Sequence, residues 1–213
     1  PTLDTVIVGI PAQEKGVRPA RALPYELDVH AKVNASARTV VLKFMNTGGA
    51  TAVFQVRSGN SEDVARSYTV EPGKHLFGTW KVASSYDLSV HGPNGFWRSF
   101  VGAINSTGPA LDVVSTYGTG GRGSIALAIT NVADVRAEVI LLDAYTGKSL
   151  SQHLRPNETL EEKLPLAHFG GWYDFIVTVS GHPNFKYQLA GHVETGKDSI
   201  SDPALGGLVA LKD

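Results

Sequence analysis

The sequence predicts an all-β protein: two tandem immunoglobulin-like antiparallel β-sandwiches, joined end to end. Three observations carry this. Apolar and polar residues alternate with a two-residue period along most of the chain, the signature of strands with one buried face. Helical periodicity is nearly absent. One set of motifs also occurs twice: Leu42, Phe44 and Asn46 return as Leu127, Ile129 and Asn131, 85 positions later. A repeat of that length is one small folding unit used twice.

Residues 1–24 are expected to form an extended linker segment. Thr5–Val8 can add a strand, and Pro11 to Pro24 is polar and proline-flanked. The first sandwich is assigned to residues 25–106. Leu27, Val29, Ala31 and Val33 alternate with Asp28, His30 and Lys32; Val40, Leu42 and Phe44 mark the next strand, and Ala52, Phe54 and Val56 the one after. Tyr86, Leu88 and Val90 alternate with Asp87, Ser89 and His91. Turn chemistry fills the gaps, notably Glu71-Pro72-Gly73-Lys74 and Gly92-Pro93-Asn94-Gly95. Asn94-Gly95 is the strongest hairpin signal, because a type I′ turn needs positive φ at both central residues.

The second sandwich is assigned to residues 107–195. There Leu27-Asp28-Val29 returns as Leu111-Asp112-Val113, Pro72 as Pro156, and Tyr86-Asp87 as Tyr173-Asp174. Leu160 to Phe169 is the one stretch with some helical character, and Pro165 interrupts it. Residues 196–213 are expected to be an irregular tail. The cysteine and tryptophan core of antibody domains is missing, so the likeness to immunoglobulin domains is architectural.

Composition narrows the chemistry. There are no cysteines among the 213 residues, which removes a disulfide scaffold, a thiolate metal site and a cysteine nucleophile together. A net charge of −1 gives no long-range attraction to nucleic acid, which is not expected as a partner. No apolar run is long enough to span a bilayer as a helix. The chain begins at Pro1 with neither an initiator Met nor a signal peptide, and reads as a piece of a longer protein.

No catalytic residue, metal ligand or cofactor site is expected. The seven histidines are scattered, without an HxH pair or an HExxH run. His30 and His91 lie on polar strand faces and can meet only if a sheet brings them together. Asp87 and Asp174 read as local caps rather than calcium ligands. The glycine-rich run Gly118 to Ser124 lacks the ending of a phosphate-binding loop and precedes a strand, so it reads as a loop. Three sequons, at Asn34, Asn105 and Asn157, carry little weight. The remaining signal is aromatic: Phe96, Trp97 and Phe100 follow the Asn94-Gly95 turn with rings on both faces of one strand. One face must enter the core; the other is expected to contact a neighbouring domain or a lipid surface.

Tyr86 to Arg98, reading YDLSVHGPNGFWR, resembles the hallmark of the repeated C-terminal domain of bacterial phosphocholine-specific phospholipases C. Gln13 to Tyr25 resembles the junction that enters that region, Trp172 to His192 is a looser second copy, and Ser201 to Ala204 resembles the closing residues. The resemblance implies a non-catalytic accessory region of a parent that hydrolyses phosphatidylcholine or sphingomyelin to release phosphocholine. It implies an N-terminal phosphoesterase domain as partner, and export from a Gram-negative cell to the periplasm or medium. Folding before export fits the missing cysteines. A stand-alone carbohydrate- or protein-binding sandwich remains the alternative reading of the residues.

Overall fold

The computed structural model describes residues 16–104, 108–118 and 123–205. The first repeat contains strands β2 (Leu27–Asn34), β3 (Thr39–Asn46), β4 (Ala52–Ser58), β5 (Arg66–Val70), β6 (Lys74–Lys81), β7 (Ser85–His91) and β8 (Trp97–Ala103). The second contains β9 (Leu111–Tyr117), β10 (Ser124–Asn131), β11 (Ala137–Asp143), β12 (Ser149–Leu154), β13 (Thr159–Pro165), β14 (Trp172–Val179) and β15 (His182–His192). All pairings are antiparallel. The all-β expectation holds.

Each repeat sets three strands against four. The order β2-β3-β6 in the first repeat matches β9-β10-β13 in the second, and β5-β4-β7-β8 matches β12-β11-β14-β15. A constant-type immunoglobulin domain would place the fourth strand beside the fifth; here β5 pairs with β4 instead. The alternating residues of the sequence meet between the layers. Leu42, Phe44, Phe54, Val56, Leu88 and Val90 are all buried, and the Phe44 and Phe54 rings lie 5.5 Å apart across the gap. Ile125, Leu127, Ile129, Val139 and Val177 do the same in the second repeat.

The repeated asparagines explain one recurring corner. Asn46 is fully buried, and its Nδ2 donates to the carbonyls of Ala50 at 2.8 Å and Val70 at 2.9 Å while its Oδ1 accepts from Gly48 N. Asn131 repeats the arrangement with Val135, Leu154 and Ala133. Each amide ties the end of one strand to the turn that follows and to the opposite layer.

The last strands of the two repeats pair with each other. β8 and β15 run antiparallel from Trp97↔Ala190 to Val101↔Lys186, with Ser99↔Gln188 at the centre. The two four-stranded layers thereby form one eight-stranded sheet. Two edges that would otherwise expose unpaired backbone groups are removed at once.

Asn94 and Gly95 both have positive φ, 58° and 70°, and Phe96 N donates to Pro93 O, so the turn forms as the sequence indicates. Gly95 serves a second purpose. A Cβ there would lie 2.6 Å from the Trp172 ring, so the hairpin tip nestles against the second repeat only because it has no side chain.

The segments flanking the two repeats add one element: β1 (Pro19–Ala20) pairs with β16 (Ser199–Ile200) in a short ribbon. The ribbon is anchored by Trp172 Nε1, which donates to Ile200 O at 2.8 Å, and by Tyr145 OH, which donates to Asp202 Oδ1 at 2.7 Å. The stretch from Leu160 is strand up to Pro165, then a single 3₁₀ turn at Ala167–Phe169. The proposed strand Thr5–Val8, the sequon at Asn105, most of the Gly118–Ser124 loop and the end of the tail lie outside the described residues.

Candidate functional site

Alternation along the strand that follows the Asn94-Gly95 turn decides where its aromatics go. Phe96 and Phe100 are buried, at 6% and 3% exposure, on the same face as Arg98. Phe96 meets Phe54 edge-on at 5.6 Å, and Phe100 meets Tyr187 of the second repeat edge-on at 5.1 Å. Trp97 points the other way, half-buried, with its ring edge-on to His91 at 4.3 Å. Of the three aromatics, Trp97 alone has substantial contact with solvent.

Arg98 lies between the two phenylalanines and is completely buried. Its guanidinium sits 4.3 Å from the centre of the Phe96 ring. Nη1 donates to Trp97 O and Ala190 O at 2.9 and 3.1 Å. Nη2 donates to Asp28 Oδ1 at 3.2 Å and to the hydroxyls of Tyr117 and Tyr173 at 3.1 Å each. Burial alone would lower the Arg98 pKa. The surrounding Tyr173 and Tyr117 oxygens and the Asp28 carboxylate outweigh it, so the pKa is raised and the cation is retained. Asp28 also accepts from Ser115 Oγ at 2.8 Å, and Tyr117 OH donates to Leu27 O at 2.6 Å. Desolvation pushes the Tyr117 phenol well above its usual range.

A pseudo-twofold axis between the paired Ser99 and Gln188 relates this cluster to a pair of tyrosines. The position related to Arg98 holds Tyr187, and that related to Tyr173 holds Tyr86. The Tyr86 and Tyr187 hydroxyls are hydrogen-bonded at 2.8 Å, and burial raises both phenols. Arg98, with Tyr117 and Ser115 where the first repeat has Val33 and Ala31, distinguishes the two halves of the seam.

The other singled-out residues fall apart. His30 hydrogen-bonds Asp112, joining β2 to β9, whereas His91 lies in the eight-stranded sheet against Trp97. Desolvation, with Arg57 nearby, lowers the His91 pKa. Asp174 accepts from Gln188 Nε2 on both oxygens, and burial raises its pKa. Asp87 accepts from Gly59 through its backbone carbonyl. Among the described residues, no three His, Asp or Glu side chains converge as a metal-binding group.

One constellation was not foreseen. His192 Nδ1 lies 3.0 Å from Glu194 Oε1, and Nε2 lies 3.3 Å from Ser199 Oγ. This outline is that of a Ser-His-Glu triad, but the protons are arranged otherwise. Nε2 is 2.8 Å from the carbonyl of Gly170, a group with no proton to give, so Nε2 is itself a donor. Ser199 Oγ donates to the same carbonyl. The ring has no free lone pair for the serine proton, which a general base requires. Asn94 Nδ2 also donates to Glu194 Oε1, at 2.7 Å. The trio is a latch binding the hairpin tip, β15 and the tail.

Sequence periodicity points to Arg98, since Phe96, Arg98 and Phe100 share a strand face, and a charge on a core face is a signal in itself. His192 and Glu194 carry no such sign, because their partners lie in the tail and in the other repeat.

Comparison with known proteins places this architecture. The family described as bacterial phospholipase C, C-terminal domain matches twice, at residues 19–103 and 109–192. A non-hemolytic phospholipase C of Burkholderia pseudomallei is 40% identical over 92% of this chain and 29% of its own length. Non-hemolytic and hemolytic phospholipases C of Pseudomonas aeruginosa are each 34% identical over 94% and 92% of the chain, and 30% of their own lengths. The chain thus spans less than a third of these relatives. With both repeats matched and the similarity running nearly end to end, the chain belongs to the bacterial phospholipase C C-terminal domain family.

Proposed function

We propose that this chain is the C-terminal accessory region of an exported phospholipase C, built from two sandwich units at residues 25–106 and 107–195. In this reading the parent hydrolyses phosphatidylcholine or sphingomyelin to phosphocholine. The chain packs on an N-terminal phosphoesterase portion and helps to place it on the lipid surface. The observation that carries the reading is the match itself: over nine-tenths of this chain aligns with phospholipases C of which it spans only 29–30%. The internal chemistry supports it. Arg98 is hydrogen-bonded to Asp28, Tyr117 and Tyr173, and the His192 trio lacks a free base. Trp97 is the aromatic we assign to outside contact, with Phe96 and Phe100 holding the strand that presents it.

The test uses the Pseudomonas aeruginosa non-hemolytic relative. Deleting its portion equivalent to this chain is expected to reduce hydrolysis of phosphatidylcholine vesicles more than hydrolysis of a soluble phosphocholine ester. Equal activity on vesicles with and without that portion would overturn the surface-placing role.

A further inference from the structure

The outer faces of the two four-stranded layers differ at matched positions. In the first repeat β4 and β7 alternate, with Gln55 and Arg57 on one strand and Ser89 and His91 on the other turned away from the core. This is the pattern of a sheet with one packed and one solvated face. In the second repeat the alternation breaks down. β11 runs Val139-Ile140-Leu141-Leu142 and β14 runs Phe175-Ile176-Val177, the continuous apolar reading of strands buried on both faces.

Register matches the two sets. Arg57 stands opposite Ser89, and Leu142 opposite Ile176; Gln55 stands opposite His91, and Ile140 opposite Thr178. Ile140, Leu142 and Ile176 therefore take the places of Gln55, Arg57 and Ser89. The exchange runs the other way at the start of the strand, where Val53 matches Glu138. Val139, Leu141 and Val177 are buried in the core, whereas Ile140, Leu142 and Ile176 on the opposite face stay partly exposed. They form one patch, because Leu142 and Ile176 are paired directly and Ile140 is the next residue of β11 on that face.

The patch lies beside the place where the chain enters. Trp172 shares this face of β14 with Ile176, two same-face positions away, about 13 Å along the strand. Trp172 is buried without belonging to the core, and its Nε1 donates to Ile200 O of β16, the partner of β1. Tyr145, three residues past Leu142, donates to Asp202 beyond the same ribbon. The ribbon thus covers one end of this face and brings the chain in over it. The relatives extend well beyond the 29–30% of their length that this chain spans, and the matching family is a C-terminal domain, so the remainder lies ahead of it. Three aliphatic side chains are few for a free partner, but a portion of the same chain meets them at a high effective concentration.

We infer that the N-terminal portion of the parent packs on the outer face of β11 and β14, against Ile140, Leu142 and Ile176. Lys186 and Gln188 of β15 border this patch and separate it from the β8 strand that presents Trp97. The inference deepens the packing part of the proposed function and rests on it for the existence of that portion.

The chain has no cysteine, so an introduced one reports accessibility at a known place. Ile176→Cys, Leu142→Cys, Arg57→Cys and Phe77→Cys are made singly, in the 213-residue chain and in the full-length parent. Each is reacted with a water-soluble maleimide, and the peptide carrying the new thiol is quantified by mass spectrometry. Phe77, 58% exposed on the three-stranded layer, reports on the opposite side of the molecule. All four are expected to react in the isolated chain. In the parent, Ile176→Cys and Leu142→Cys are expected to react about tenfold more slowly or less, as groups reached only by local opening. Arg57→Cys and Phe77→Cys are expected to react as before. Two patch positions are used so that one misfolded variant leaves the other to decide. Unslowed labelling of both in the parent would overturn the inference. If Arg57→Cys or Phe77→Cys is slowed in their stead, the portion packs on another face and the packing reading stands. If all four react alike in parent and chain, that reading falls as well. With the patch open in the parent, slowing of Ile176→Cys in the isolated chain at rising concentration would give the face to a second copy. Slowing by added phosphatidylcholine vesicles would give it to lipid.

Discussion

Arg98 carries more of the seam than any other side chain, and its burial sets the cost of losing a partner. Its charge is balanced by Asp28 at 3.2 Å, whose side chain is itself only 13% exposed. Breaking a buried pair by removing one member leaves an uncompensated charge and costs about 3–5 kcal/mol. Asp28→Ala is therefore expected to lower stability by that order in urea unfolding. Arg98→Met, which removes the charge but keeps volume over Phe96, is expected to cost less than Arg98→Ala. Equal losses for the two Arg98 variants would show that the charge, not packing, dominates. The tyrosines add a pH dependence. Burial raises the phenols of Tyr86, Tyr117 and Tyr187 in the folded state. Above pH ~10 the unfolded chain releases tyrosine protons that the folded chain retains, so stability is complete below that pH and falls as pH rises. Tyrosinate absorbance from these residues is expected to appear only with unfolding; early titration of all seven tyrosines would contradict their burial.

At the scale of elements, the strand alternation was legible and the strand's partners were not. Period-2 patterning marks Phe96, Arg98 and Phe100 as one face and Trp97 as the other, but which face is covered depends on β15, some ninety positions away in sequence. The Asn94-Gly95 turn was legible because its φ requirement is local. The β1–β16 ribbon was not, because two residues on each side carry no periodicity. Repeated Asn46 and Asn131 were visible as a recurrence; their role as buried crosslinks between layers needed the fold. The two faces of β8 separate by experiment. Phe100→Ala is expected to cost about 3–5 kcal/mol, as for other buried phenylalanines. Trp97→Ala is expected to leave most of the stability and to reduce co-sedimentation with phosphatidylcholine vesicles. Unchanged vesicle binding by a folded Trp97→Ala chain would remove this residue from any lipid contact.

Across the whole molecule, the sequence repeat indicated two units, while the eight-stranded sheet makes them a single mechanical body. The β8–β15 ladder, the Arg98 cluster, the Tyr86–Tyr187 pair and the His192 latch all cross between the repeats. Trp80 in the first repeat and Trp172 in the second therefore report on one structure, and one cooperative urea transition is expected by either. Two separate midpoints would mean that the seam contributes little. The most direct check mixes this chain with phosphatidylcholine vesicles and measures both co-sedimentation and phosphocholine release. The expected result is binding without release, with the chemistry residing in the remainder of the parent. Phosphocholine released by the chain itself would contradict the accessory role outright.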